Sequence, residues 1–116
     1  MVEIFKDKVS CQKLTELAQA VYVDMVKGVV DVRKNILALG GELHADCEQM
    51  LLDQGSKQED LWGFNVYLGK PSDSRLEYTS MINIRPRQGN LSREVQNPEL
   101  RQQIKGIIDR MVAVDA

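Results

Sequence analysis

The chain's one histidine, His44, stands between two carboxylates in Glu42-Leu43-His44-Ala45-Asp46, directly after Gly40-Gly41. In an extended stretch, alternate side chains project to one side, so Glu42, His44 and Asp46 would share a face. Imidazole flanked by carboxylates suits zinc, manganese or iron. Without a metal, a carboxylate orients the ring and raises its basicity, which makes His44 a general base held by Glu42. A local reading competes with both. Asp46 caps a short helix with Gln49 at capping-box spacing, His44 hydrogen-bonds nearby, and Glu42 meets water. In that case at most Glu42 and His44 remain as a functional pair.

A second constellation is residues 80–93, SMINIRPRQGNLSR. An extended segment would deliver Asn83 and Arg85 to its end. Pro86 stiffens the exit, and Arg87, Asn90, Ser92 and Arg93 follow around Gly89. Arginine presents a planar fork that matches carboxylate or phosphate. The loop also runs toward the N-terminus of the last helix, where free N–H groups favour anions. The binding reading has Arg85, Arg87 and Arg93 gripping a small anion while Asn65, Asn83 and Asn90 orient it. In an enzyme built on His44, Arg85 would neutralise developing negative charge. The opposite reading is a solvated loop whose arginines form weak surface pairs with Glu94, Glu99 or aspartates. Gly55-Ser56-Lys57 suggests a phosphate loop, but the spaced second glycine is absent, so it reads as a helix stop and a polar connection. Trp62 belongs to the core or an interface, because its neighbours alternate as in a buried strand.

These residues need elements to hold them. Val2 to Phe5 reads as a short extended arm. Ser10 is an N-cap for an amphipathic helix from Cys11 to about Tyr22, with Leu14, Leu17, Ala18 and Val21 at helical spacing and Lys13 and Glu16 on the solvated side. The valine-rich segment 26–32 and the segment 36–42 form a hairpin, with Asn35 as the left-handed turn residue. Gly40-Gly41 weakens the end of that strand or admits another backbone. A short helix follows, with Cys47, Met50 and Leu51 as its apolar side and Gly55 as its stop. Segments 61–68 and 76–84 alternate as strands. Asn97-Pro98 opens a last helix striped by Leu100, Ile104, Ile107, Ile108 and Met111. The order α-β-β-α-β-β-α predicts an α+β fold: a mainly antiparallel four-stranded sheet, helices on one face, and a polar second face carrying Asn65, Glu77, Thr79, Asn83 and Arg85.

Composition narrows the function classes. With 116 residues and 43% hydrophobic content, a single domain spanning residues 1–116 is expected, with one packed core. A net charge of -2 gives nucleic acid or an anionic membrane no bulk attraction. No apolar run approaches a membrane span, and the charged start MVEIFKDKVS does not resemble a signal peptide, so a cytoplasmic location is expected. Two cysteines without Cys-x-x-Cys spacing read as free thiols. The bulky hairpin, Val29, Val30, Val32 and residues 37–39, is buried either by the chain's own helices or by a second copy in a homodimer.

Three blocks, VKGVVDV, ALGGELHADCEQMLLDQGSKQEDLWGFNVY and YTSMINIRPRQGNLSREV, resemble a family of small prokaryotic proteins of unknown function. The resemblance runs from about residue 10 into the last helix. It implies a complete single-domain protein and brings no activity, cofactor or catalytic residue with it. Three functional readings therefore stand: a module binding a small phosphate- or carboxylate-bearing ligand at the Arg/Asn-rich loop, a metal- or His-dependent hydrolase-like enzyme using Glu42 and His44, and a homo-oligomeric interaction module.

Overall fold

The structure is a computed structural model that describes residues 1–113. Its sheet has five strands rather than four. β1 (Val2–Phe5), β2 (Met25–Asp31), β3 (Ile36–Gly40), β4 (Leu61–Tyr67) and β5 (Leu76–Glu77) lie in the order β1-β3-β2-β4-β5, every pairing antiparallel. The described helices are α1 (Cys11–Gln19), α2 (His44–Asp53) and α3 (Pro98–Met111). The arm expected at the N-terminus becomes the fifth strand by pairing Val2–Phe5 with β3. Gly40 makes that closure possible. It has φ +108°, and a Cβ there would stand 2.3 Å from the Met1 carbonyl oxygen, so the glycine pair admits a neighbouring backbone.

Helices cover both faces of the sheet, which corrects the expectation of one. Leu14 and Leu17 of α1 and Ile104, Ile107 and Ile108 of α3 share a core with Val26, Val30, Leu37, Leu39 and Phe64. Cys47 and Leu51 of α2 pack on the opposite face with Val29, Ala38 and Leu61. β3 shows why: Ile36-Leu37-Ala38-Leu39 is apolar on both sides, and every residue of the strand is buried. Such a run needs cover above and below. The chain's own helices thus bury the valine-rich hairpin, and the apolar excess that suggested a second copy is consumed internally.

The expected helix starts hold at the two outer helices. Ser10 Oγ accepts from the Lys13 N–H at 3.0 Å, and Asn97 accepts from the Glu99 and Leu100 N–H groups. Asn35 takes the left-handed turn position at φ +58°. Buried Asp31 fixes the same turn by accepting from the Arg33 and Lys34 N–H groups and from the Ser56 hydroxyl. The helix expected to reach Tyr22 stops at Gln19, and Val23 closes it from a left-handed conformation.

The strand expected over residues 76–84 ends at Glu77. Ser80 Oγ instead caps a 3₁₀ turn at Met81–Asn83, accepting from the Ile82 N–H. This local bond competes with the ladder and wins. Residues 80–93 become a loop with bridged ends: Thr79 pairs with Glu94, and the Ser80 N–H donates to the Arg93 carbonyl at 3.0 Å. The loop lies along the edge of β4 that β5 is too short to cover.

Candidate functional site

The Arg/Asn-rich loop is held together by the residues expected to bind a ligand. Asn83 is buried. Its Nδ2 donates to the Gly63 carbonyl at 3.0 Å, and its Oδ1 accepts from the Gly63 N–H at 2.8 Å. The amide therefore takes the place of a strand on the open edge of β4. Gly63 admits this approach, because a Cβ there would stand 2.5 Å from Ser80 Cβ. Arg85 is also buried. Its guanidinium donates to the carbonyls of Ile82 (3.0 Å), Gln58 (2.6 Å) and Leu61 and to Gln88 Oε1. It stacks 4.5 Å over the Trp62 ring and approaches Glu48 Oε2 of α2 at 3.7 Å. Burial pulls Arg85 below the ordinary guanidinium pKa, and Glu48 opposes that pull. Asn90 donates to the carbonyls of Asn83, Ser92 and Glu94. The structure thus brings Asn83, Arg85 and Asn90 together, but their donors are spent on the chain's own backbone. Arg87 and Arg93 are exposed on the same loop.

Glu42, His44 and Asp46 do not form a shared face. β3 ends at Gly40 and α2 begins at His44, three residues before the start that Asp46 as a cap would give. On a helix, positions 44 and 46 diverge by about 200°. Glu42 and Asp46 open instead toward a groove beside Val2 and Val21. Among the described residues, no group of three or more His, Cys, Asp or Glu side chains is placed to hold a metal ion.

His44 lies over the other side of the helix start. Its Nε2 is 2.8 Å from the Phe64 carbonyl oxygen. A carbonyl only accepts, so Nε2 carries the hydrogen and the neutral ring keeps its lone pair on Nδ1. The orienting group is therefore a backbone carbonyl, not Glu42. Burial lowers the His44 pKa. The Phe64 carbonyl and the Asn65 side chain favour the charged ring, while Lys27 disfavours it.

His44 lines a cleft of about 160 Å³ together with Lys27 of β2 and Ser80 and Ile82 of the loop. Leu43 and Met81 form its rim, 56% and 64% exposed respectively. Leu43 is the N-cap of α2 and offers no side-chain hydrogen bond, so no side chain caps the first-turn N–H groups. Lys27 also stands 5.3 Å from the Tyr22 ring centre.

Beneath this cleft a polar row crosses the sheet. Lys27 pairs with Asn65, and Asn65 pairs with Glu77. Asn65 Nδ2 donates to Glu77 Oε1 at 3.2 Å, and the Tyr67 hydroxyl donates to the same oxygen at 2.8 Å. That bond, then burial, raises the Tyr67 pKa. Asn65 Oδ1 is buried, and the Asn65 side chain lies beside the His44 ring.

Of the expected site residues, His44 lines the cleft, Asn65 lies beside it in the sheet, and the others do not reach it. Sequence reasoning missed Lys27, although a lone charge in the valine run MVKGVV signalled a polar spot on that strand. It also missed Arg75, which is buried and donates to the Val112 and Ala113 carbonyls at the end of α3.

No helix of the described residues is long and apolar enough to cross a membrane. No curated protein and no solved structure gives a significant match to the chain. A family model described as "Protein of unknown function (DUF5674)" matches residues 3–111, and the chain belongs to that family.

Proposed function

We propose that the protein binds a small anionic ligand, carboxylate or phosphate, in the cleft at the start of α2. The observation that carries this reading is the convergence on one small cavity of Lys27, the uncapped first turn of α2 and His44. A helix start without a side-chain cap presents N–H groups and the positive end of the dipole. Lys27 adds a full charge. The Arg/Asn-rich loop supports the site from behind: Asn83, Arg85 and Asn90 hold the segment that gives the cleft Ser80, Met81 and Ile82. Thermal stability measured with acetate and with inorganic phosphate tests the reading. Lys27→Met should remove the ligand-dependent gain, and Arg85→Ala should lower the baseline while keeping the gain. No gain with either anion would refute it.

A His-dependent enzyme is the second reading, favoured by the Nε2 contact to Phe64 and by the burial that keeps the ring neutral. His44 would then serve as a general base through Nδ1. It predicts that a bound carboxylate or phosphate ester turns over slowly and that His44→Gln stops turnover without preventing binding.

A further inference from the structure

The two edges of the sheet differ. Along β4, the side chains of Asn83 and Arg85 bond the backbone that β5 leaves bare. β1 forms the opposite edge, and among the described residues no strand or side chain bonds its outer side. The alternation of the ladders tells which groups are open there. The Leu68 N–H donates to the Asp24 carbonyl at 2.9 Å, and the Val32 N–H donates to the Asp60 carbonyl at 3.0 Å. Even-numbered residues of β2 therefore bond toward β4 and odd-numbered ones toward β3. Carried through the register, Leu37 and Leu39 of β3 bond to Phe5 and Glu3. Val2 and Ile4 are left with N–H and C=O facing outward. Such an edge is a template for another strand.

The charges around the edge say which strand fits. At the Val2 end, Glu42 and Asp46 line a groove. At the other end, Lys6, Lys8, Lys34 and Arg110 line a second groove, with Asp7 as its one carboxylate. The molecule is thus acidic at one end of β1 and basic at the other. A copy turned about a two-fold axis sets acid against base at both ends. The strand also selects a register. Pairing Ile4 with Ile4 and Val2 with Lys6 places Glu3 across from Phe5, whereas a shift by two residues places Glu3 against Glu3. We infer that β1 is the interface of a symmetric dimer, in which two copies join antiparallel at Ile4 into one continuous sheet. The pairing uses the sheet's edge and leaves its helix-covered faces as they are.

Sedimentation velocity of the full chain tests this. A four-residue edge is short, so dimer should appear with rising concentration over about 1 µM to 1 mM and weaken in high salt. Lys6→Glu and Glu42→Lys alter exposed side chains and leave the core alone. Each variant by itself sets like charges together at both ends and should raise the dissociation constant about tenfold or more. An equimolar mixture of the two should dimerise again, because every contact in the mixed dimer pairs opposite charges. Hydrogen exchange adds a backbone readout: the Ile4 amide should be protected only in the dimer, and the Phe5 amide in monomer and dimer alike. A chain that stays monomeric throughout would overturn the inference. So would a dimer that both single variants still form unweakened, or one in which the Ile4 amide exchanges as fast as in the monomer.

Discussion

Asn83 hydrogen-bonds both backbone groups of Gly63, donating at 3.0 Å and accepting at 2.8 Å, and so completes the edge of β4 with a side chain. The same Nδ2 reaches the Arg93 carbonyl at 3.0 Å, which ties the loop's end to the sheet. Asn83→Leu would leave a buried N–H and a buried carbonyl without partners. The expected loss is roughly 2–4 kcal/mol, read from the urea midpoint. Asn83→Asp should also fail, because a carboxylate cannot donate to Gly63 and Arg93. Retained stability in either variant would show that Asn83 does not hold this edge.

Arg85 serves the next open carbonyl on that edge, Leu61, and bridges it to Gln58 and Ile82. Only a planar fork reaches three carbonyls while stacking on Trp62. Arg85→Lys should therefore cost about 2–3 kcal/mol despite keeping the charge. The measurement is again urea unfolding, with Trp62 fluorescence as the probe. An unchanged midpoint would mean that the charge alone suffices.

Much of the frame was legible because local signals agreed. Ser10 and Asn97 are caps whose bonds are seen, and Asn35 takes the left-handed turn. The loop was misread because alternation from Leu76 to Ile84 mimics a strand, while Ser80 offers a competing local bond that pattern reading does not weigh. The candidate site was half legible. His44 stood out by type, but its partner is a backbone carbonyl twenty residues away, and a carbonyl has no sequence signature. Arginines and asparagines look alike in sequence whether they face a ligand or their own main chain. Burial distinguishes them, and burial here depends on an edge left open by a two-residue β5.

Val23 holds φ +73° with its side chain 58% exposed, while its N–H closes α1 on the Ala18 carbonyl at 2.7 Å. A β-branched residue is strained there, by about 1–2 kcal/mol for the left-handed conformation, and no burial offsets it. Val23→Gly relieves the strain at some cost in unfolded-chain entropy. The net expectation is a gain of about 0.5–1 kcal/mol, seen as a higher melting temperature. A lower one would mean that the Val23 side chain makes a contribution its exposure does not suggest.

Cys47 is buried and donates its S–H to the Gly40 carbonyl at 3.3 Å. Burial, with Asp46 adding to it, pushes its pKa up to about 12. The thiolate is the reactive form. In the native protein iodoacetamide should leave Cys47 unmodified, and in urea it should label it fully. Peptide mass spectrometry distinguishes the two states, and rapid native labelling of Cys47 would contradict its burial between α2 and the sheet.

His44 links stability to pH in a direction fixed by its surroundings. Burial lowers its pKa in the folded chain below the ordinary value of 6.5. The unfolded chain therefore binds the proton more readily, and acid favours unfolding. The contribution is fully present above pH 6.5, shrinks as pH falls below it, and is lost as pH passes through the lowered folded-state value. Carboxylates titrate lower still and add their own slope, so the test is a difference. His44→Gln keeps a donor for the Phe64 carbonyl and removes the titration. Urea midpoints at about pH 7.5 and about pH 5.5 should fall more for the unaltered protein than for this variant. The proposed anion would oppose the effect, because a bound carboxylate favours the imidazolium. Saturating acetate should therefore shrink the pH-dependent difference between the two proteins. A difference that the ligand does not change would place His44 outside the field of the bound charge.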